Sequence, residues 1–284
     1  MPNYGYHLAR AEGNATRKIY RAFLPAIARR PIHSRGHVPL NVFSYSGESD
    51  LPEQVASIRS FLKHAGRPRQ FTIVSDGTHS AGSRDLLRGL DPVISISDSN
   101  QWIPRQLPAA LYPYLTTHPT GKQLALIMSL PADQPALYVD SDVLFFPSAR
   151  DLIDRAQATG TPAFYLPDCG FSGDERLLHR ETEKNQPVNT GVLLLFRKLD
   201  WSLALSRFLE LDGQPTFFTN QTMTHLTMHA NSGTPLDARK YVLQLDDQFV
   251  YSDRYSRTDL ALRHYVNPVR HKFWTNIRRG AFSL

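Results

Sequence analysis

Asp140 and Asp142 stand one residue apart, with Ser141 between them, in the segment PALYVDSDVLFFPSARDL from Pro135 to Leu152. Apolar runs flank them on both sides, residues 136–139 and 143–146. The first run carries β-branched and aromatic residues and is bounded by Pro135, which predicts a buried strand. Carboxylates beside core-forming residues are costly to desolvate unless they are paired. A bound divalent cation removes that cost. In an extended chain residues i and i+2 point the same way, so both carboxylates can face one ion at a strand end. A pair of plain turn carboxylates is the alternative, and the apolar flanks disfavour it. Lys122 sits at a predicted helix start, where the helix dipole does not favour a cation. An anionic partner explains it, as does simple exposure. Asn189 precedes a strong apolar run and reads as a turn residue or a ligand contact. His264, between Arg263 and Tyr265, reads as a strand-end histidine with a hydrogen-bonded ring unless it meets a ligand.

The elements that must position these residues alternate after Pro39. Residues 40–45 (LNVFSY) predict a strand that ends at Ser46-Gly47-Glu48. Leu51, Val55, Ile58 and Leu62 then recur on one face of a helix that stops before Gly66 and Pro68. A second strand at 70–74 ends at Ser75-Asp76-Gly77, and a short helix at 83–90 and a strand at 93–96 follow. Residues 101–130 read as helical between prolines, the last helix opening at Gly121-Lys122. Beyond the aspartates come a helix at 149–156 and a strand at 163–166 leading to Pro167-Asp168-Cys169. Residues 170–186 are polar and aperiodic and predict a loop over the site. A buried strand follows Val188-Asn189-Thr190-Gly191, and helices follow at 201–211 and 216–229, the second with Asn220-Gln221 near its start. Strand–helix–strand repetition with short turns implies right-handed crossovers and a mostly parallel sheet flanked by helices. Ligands of such α/β folds bind beyond the carboxyl ends of the strands. Residues 44–47, 75–77 and 140–142 all fall there. Without repeats or low-complexity linkers, the chain divides into an arm, 1–38, and one body, 39–284.

At 284 residues and 41% hydrophobic content the chain is long enough to bury a full core. The single cysteine, Cys169, excludes an internal disulfide framework and a cysteine-based zinc site. The net charge of +6 belongs to residues 1–38, where seven Lys and Arg meet Glu12 alone; the body is neutral. Ile19, Phe23 and Ile27 recur at i, i+4 and i+8 among Arg17, Lys18 and Arg21, which predicts a basic amphipathic helix. Such a helix either touches an anionic membrane surface or acceptor, or packs on the body with its basic face solvated. No zinc-finger spacing, RNA-reading aromatic motif or helix-turn-helix signature supports nucleic-acid binding. The amino terminus lacks the apolar core of a secretory signal, and no run approaches the ~20 apolar residues of a membrane span. The expectation is a cytoplasmic protein, peripheral at a membrane at most.

Taken in order, these segments resemble the GT-A glycosyltransferases, most closely glycosyltransferase family 8 and its bacterial relatives. The resemblance runs from about Pro39 to Trp274 and rests on six pieces: the first strand, GKQLALIMSLP, YVDSD, VNTGVLLL, NQTMTHL and the late histidine of HYVNPVRHKFW. It implies a metal-dependent transfer of a hexose from a UDP-sugar to a glycan, lipid-linked or small-molecule acceptor. Asp140 and Asp142 match the DxD motif that binds Mn²⁺ or Mg²⁺ and, through Asp140, the donor ribose. His264 matches the histidine that completes the metal's protein ligands, and an imidazole beside carboxylates shifts the ion towards Mn²⁺. Lys122 matches the basic residue that meets the donor phosphates or sugar. Asn189, with Thr190, belongs to the motif that contacts the donor sugar, and Asp168 to the sugar-facing acid. Phe43, Ser44 and Tyr45 would cradle uracil and ribose, with Asp76 and Ser141 beside them.

This chain departs from the family ending H-x-x-G-x-x-K-P-W. Asn267 replaces the glycine, Arg270 takes the lysine's spacing, and Lys272 and Trp274 come two residues late. Either Arg270 or Lys272 would clamp the diphosphate. The family's Asp-Gln pair appears as Asn220-Gln221, and the resemblance implies both as catalytic candidates. With the carboxylate lost, Asp246 and Asp247 stand as substitutes for general-base work if one lies under the sugar, Asp247 among the catalytic residues. Three other readings compete. A HAD-type phosphatase would open its domain with the motif and carry Thr or Val where Leu144 stands. A sugar-nucleotide pyrophosphorylase would want basic residues in the loop SGESDLPEQ, which has none. A catalytically decayed sugar-nucleotide-binding module is favoured by Asn220 alone.

Overall fold

The computed structural model describes residues 3–280 apart from residues 35, 132, 158 and 159. The ends of the 1–38 and 39–284 divisions, residues 1, 2 and 281–284, thus lie outside the described residues. The chain opens with helices α1 (Tyr4–Ala22) and α2 (Leu24–Ala28). Asn3 caps the first, its side chain accepting from the Tyr6 amide at 3.1 Å. Then come β1 (Asn41–Ser46), α3 (Leu51–His64), β2 (Gln70–Ser75), α4 (Ala81–Arg88) and β3 (Ile94–Asp98). The three strands pair in parallel, Asn41 opposite Gln70 and Phe71 opposite Ile94. Short turns and prolines break residues 99–130 into 3₁₀ turns and two helices, α5 (Tyr112–Thr117) and α6 (Pro119–Met128). Each begins with proline within its first turn, where the missing amide costs nothing.

Next follow β4 (Ala136–Val139), β5 (Val143–Phe145), α7 (Asp151–Ala156), β6 (Ala163–Pro167) and β7 (Val188–Leu195). The chain ends with α8 (Ser202–Leu209), α9 (Thr219–Ala230), β8 (Thr234–Pro235), β9 (Tyr241–Val242), β10 (Leu262–His264) and α10 (Arg270–Gly280). The main sheet has the order β3-β2-β1-β4-β7-β6-β8, and β7 alone in it runs against its neighbours. This is the mostly parallel α/β sheet the sequence pattern predicts. Every residue of β7 is buried, as a strand covered on both faces must be. A second sheet, β5-β10-β9, pairs β10 antiparallel to β5 with His264 opposite Val143.

Alternation along β1 assigns residues to the two covered faces. Val42 packs with Val55, Ile58 and Phe61 of α3, whereas Phe43 packs with Leu124 of α6 and Met223 of α9. A third cluster joins Leu144, Tyr265, Phe273, Trp274 and Ile277 around α10.

Two expectations for the helices change in the structure. The periodicity of α3 predicts one buried face, yet all residues from Leu51 to Leu62 are buried. The reason is tertiary: α1, α2 and α10 cover what would be its outer side. Arg17 of α1 donates to Glu53 at 2.5 and 3.0 Å, Trp274 of α10 donates to it at 3.1 Å, and Arg59 reaches the Arg30 carbonyl at 3.0 Å. The second change is the facing of α1. Ile19 and Phe23 are about 60% exposed, while Ala9 and Gly13 form its buried side against α10. A Cβ on Gly13 would lie 2.6 Å from the His271 carbonyl oxygen, so only glycine permits this approach.

Candidate metal and donor site

Asp140 follows the end of β4, and its amide donates to the Gly191 carbonyl at 2.9 Å, which fixes the turn against β7. The pairing of β10 with β5 extends one step further, the Tyr265 amide donating to the Asp142 carbonyl at 3.0 Å. His264 is thereby delivered across 122 residues of sequence to the two carboxylates. One ligand atom each of Asp140, Asp142 and His264 lie within 4.8 Å of one another. His264 Nε2 is 3.0 Å from Asp142 Oδ1 and 3.6 Å from Asp140 Oδ2. Nδ1–H donates to Asn189 Oδ1 at 2.9 Å, which leaves Nε2 for an ion. Asn189 Oδ1 also accepts from the Gly191 amide at 2.8 Å. A Cβ on Gly191 would collide with the His264 ring, so the glycine of the VNTG motif makes room for the imidazole.

Electrostatics fit the same use. Burial pushes the Asp140 carboxyl up; His264 opposes the shift and the Asp142 charge reinforces it. Burial acts in the same sense on Asp142, but His264 and Arg270 outweigh it and hold this carboxyl well below the ordinary range. Burial disfavours the His264 imidazolium, and Asp142 and Asp140 overcome that and raise it. Two carboxylates thus compete for one cationic centre. Two carboxylate oxygens and an imidazole nitrogen with its tautomer fixed suit a divalent metal ion of borderline hardness.

A cavity of about 320 Å³ opens beside the three ligands. Of the residues singled out in the sequence, Asp140, Asp142, Asp168, Asn189, Thr190, Asn220, Gln221, His264 and Arg270 line it. They form a connected polar floor. Asn189 Nδ2 donates to Asp168 Oδ2 at 3.0 Å, and Gln221 Nε2 donates to the same oxygen at 3.3 Å and to the Ser172 carbonyl at 2.7 Å. Asn220 Nδ2 donates to Gln123 Oε1 at 2.8 Å, and Gln123 Nε2 donates to Asp140 Oδ1 at 2.9 Å. Tyr138 donates to that oxygen at 2.7 Å.

Other expected residues do not line this cavity. Phe43 is a core side chain set edge-on to Trp102, with centroids 5.5 Å apart. Ser44 is fully buried on the opposite sheet face and donates to Gln54 Oε1 at 2.9 Å. Tyr45 is partly buried against the second core cluster. Asp76 accepts from the Thr78 amide and hydroxyl at 2.8 and 2.7 Å, and its carbonyl accepts from Lys122 at 3.1 Å. Asp76 and Lys122 therefore meet each other at the end of β2. Ser141 is half-buried in the turn between the aspartates.

Asp247 is corrected outright as a general-base candidate. It is fully buried, and Arg263 donates to both its oxygens at 2.8 and 3.0 Å. Asp246 is exposed and accepts from the Tyr255 hydroxyl at 2.7 Å. Lys272 is likewise fully buried, donating to the Val250 and Ser252 carbonyls at 2.9 and 2.8 Å, with Asp247 3.6 Å away. Arg270 instead reaches the cavity and pairs with Asp142. Helical phase separates them: α10 starts at Arg270, and a residue two further on points away.

Sequence reasoning missed Gln123, Tyr138 and the apolar lip of Phe217, Phe218 and Leu245. Tyr138 carried a signal, because it lies two residues before Asp140 and shares its side of the strand. The exposed phenylalanines carried none beyond their place before Asn220.

The sheet order and the turn of carboxylates at the end of β4 are those of a GT-A fold. Among solved structures, the chain is similar to the galactosyltransferase LgtC determined with donor and acceptor sugar analogues, with a TM-score of 0.55 at 16% identity over 86% of this chain and 96% of that one. Mouse xyloside xylosyltransferase 1 gives a TM-score of 0.55 at 14% identity, over 82% of this chain and 99% of its own. The glycosyltransferase GlyE of Streptococcus pneumoniae TIGR4 gives 0.52 at 14% identity, over 87% and 64%. No protein-family model and no curated protein matches the sequence.

Proposed function

We propose that the protein is a metal-dependent glycosyltransferase that moves a hexose from a UDP-sugar to a glycan, lipid-linked or small-molecule acceptor. Residues 39–284 form its catalytic domain and residues 1–38 an arm carried on it. The observation that carries the reading is the convergence of Asp140, Asp142 and His264 within 4.8 Å at the strand ends of a GT-A fold. These three residues would hold Mn²⁺ or Mg²⁺, which neutralises charge developing on the departing nucleoside diphosphate. Arg270, released from Asp142, adds a guanidinium suited to phosphate oxygens. Asn189 and Gln221 both donate to Asp168, and the three present a polar surface to the sugar, while Gln123 and Tyr138 orient Asp140. Asn220 is tied to Gln123 and serves as a positioning residue. Tyr45 and Asp76, at the ends of β1 and β2, belong to the nucleoside side, and Lys122 of α6, bonded to the Asp76 carbonyl, to the donor phosphates or sugar.

No described helix is long and apolar enough to cross a membrane. Peripheral contact with an anionic membrane surface at the cytoplasmic side is supported by α1, which exposes Tyr4, Leu8 and Ile19 among basic residues.

The test is UDP release. A panel of UDP-sugars with Mn²⁺ should give slow UDP release without acceptor, and Asp142→Ala should abolish it. No release and no UDP binding across the panel would sink the proposal. A decayed binding module remains the second reading because Asn220 offers no carboxylate; metal-dependent UDP binding without turnover on any donor and acceptor pair would select it.

A further inference from the structure

Phe217 and Phe218 stand in solvent just before α9, 63% and 46% exposed, their rings edge to face with centroids 5.3 Å apart. Adjacent aromatic side chains left in water forgo the gain of burial, so a fixed outward pair points to a contact made elsewhere. The turn that carries them is braced. The Thr216 amide donates to Thr219 Oγ1 at 2.8 Å, the Thr219 hydroxyl donates to Asp174 Oδ2 at 2.7 Å, and the Asp174 amide donates to Thr222 Oγ1 at 2.7 Å. Asp174 is itself buried and held by Arg176 through bonds of 2.8 and 2.7 Å. Both rings line the donor cavity, Phe218 standing three residues before Gln221 of the polar floor and so on the same side of the helix start. Leu243, Leu245, Val266 and Pro268 line that cavity from the segments that follow β9 and β10. One half of the cavity thus offers hydrogen bonds, through Asp168, Asn189 and Gln221, and the other offers apolar surface. No part of a UDP-sugar as placed above uses the apolar half: the diphosphate meets the metal ligands and Arg270, the sugar meets the polar floor, and Tyr45 and Asp76 lie outside the cavity.

We infer that this apolar half is the subsite for an acceptor glycoside bearing an apolar aglycone, and that Phe217 and Phe218 determine the preference for it. The subsite rests on the transferase reading and narrows its acceptor from any glycan to an amphiphile. An acceptor sugar that meets the donor sugar at Gln221 has its aglycone within reach of the two rings, which stand less than one helical turn earlier. Aromatic side chains combine a large apolar surface with little loss of conformational freedom, which suits them to grip an alkyl chain or to stack on a second ring. The aglycone is therefore either the alkyl chain of a lipid or an aromatic group, two sources of one chemistry.

The experiment is a calorimetric titration of the full chain, first with UDP and Mn²⁺, then with methyl, octyl and phenyl β-glucosides added to the loaded protein below micellar concentration. Octyl or phenyl glucoside is expected to bind about tenfold tighter than methyl glucoside, the gain from removing a few methylenes' worth of apolar surface from water. Whichever of the two gains more names the aglycone as alkyl or aromatic. Phe217→Ala and Phe218→Ala should each cut that advantage severalfold and leave the affinity for methyl glucoside as it was. Phe217→Leu, which keeps an apolar side chain, should retain most of it. Leu8→Ser, at an exposed apolar position of α1, controls for unspecific uptake of the alkyl chain and should change nothing. Failure to bind UDP with Mn²⁺ overturns the transferase reading and the subsite with it. UDP binding with equal affinity for the three glucosides, an advantage that survives both alanine substitutions, or one that is lost in Leu8→Ser overturns the subsite alone.

Discussion

His264 divides its two ring nitrogens between Asn189 and the candidate ion, and that division makes Asn189 a positioning residue as well as a cavity wall. Asn189→Ala removes the acceptor that fixes the tautomer. Its expected effect is a loss of Mn²⁺ affinity of roughly 10- to 100-fold, the usual consequence of deleting an outer partner of a metal histidine. Titration calorimetry or Mn²⁺ EPR on the variant reads this directly, and unchanged affinity would reject the role. Asp142 and Asp247 show why residue type alone does not assign a carboxylate. Both are held low by cationic neighbours against burial, Asp142 by His264 and Arg270, Asp247 by Arg263. Only one of them faces a cavity.

At the scale of elements, three-residue β10 carries two unlike tasks on alternate faces. His264 turns to the carboxylates. Arg263 turns into a fully buried cluster with Asp247 and Asp253, its guanidinium lying 4.9 Å and 5.0 Å from the Tyr255 and Tyr265 ring centroids. Arg263→Met leaves two buried carboxylates short of their partner and should cost about 3–5 kcal/mol in urea unfolding. The acid limb carries the same signature. Burial would raise Asp247, but Arg263 outweighs it, so its folded pKa is depressed. Its stabilisation is then present above the ordinary carboxylate pKa and is lost as pH falls through the lower folded value. Unfolding free energy measured from neutral pH to below about 3.8 should drop more steeply in the wild type than in Asp247→Asn. Parallel curves would remove Asp247 from the acid response. The pairing of β5 with β10 was not legible in the sequence: each is three residues long, and they lie more than a hundred residues apart.

For the whole molecule, the helices of the arm pack into the body. Leu24 and Ala28 belong to the main core with α3, and Arg17 is the ionic partner of Glu53, a residue 2% exposed. Deleting residues 1–30 strips these contacts and leaves a buried carboxylate without its cation. The shortened chain should be less stable by about 3 kcal/mol or more. Urea unfolding of both chains is the measurement, and equal midpoints would show the helices to be a removable appendage. Of the basic residues read from 1–38, Arg10, Arg17, Lys18 and Arg21 lie on α1, with Arg17 spent on Glu53 and Arg10 left at a groove.

Local pattern alone determined β1 to β4, β6, β7 and the helices between them, because alternation and 3.6-residue periodicity act over a few residues. It also determined that Asp140 and Asp142 lie at a strand end, on the side where α/β folds bind ligands. What only the tertiary structure decided is which polar groups find partners. Arg270 rather than Lys272 reaches the cavity, Asp247 is locked by Arg263, Ser44 faces α3, and α1 turns Gly13 instead of Ile19 towards the body. Pairing and burial depend on contacts between segments far apart in the chain, and no short-range periodicity encodes them.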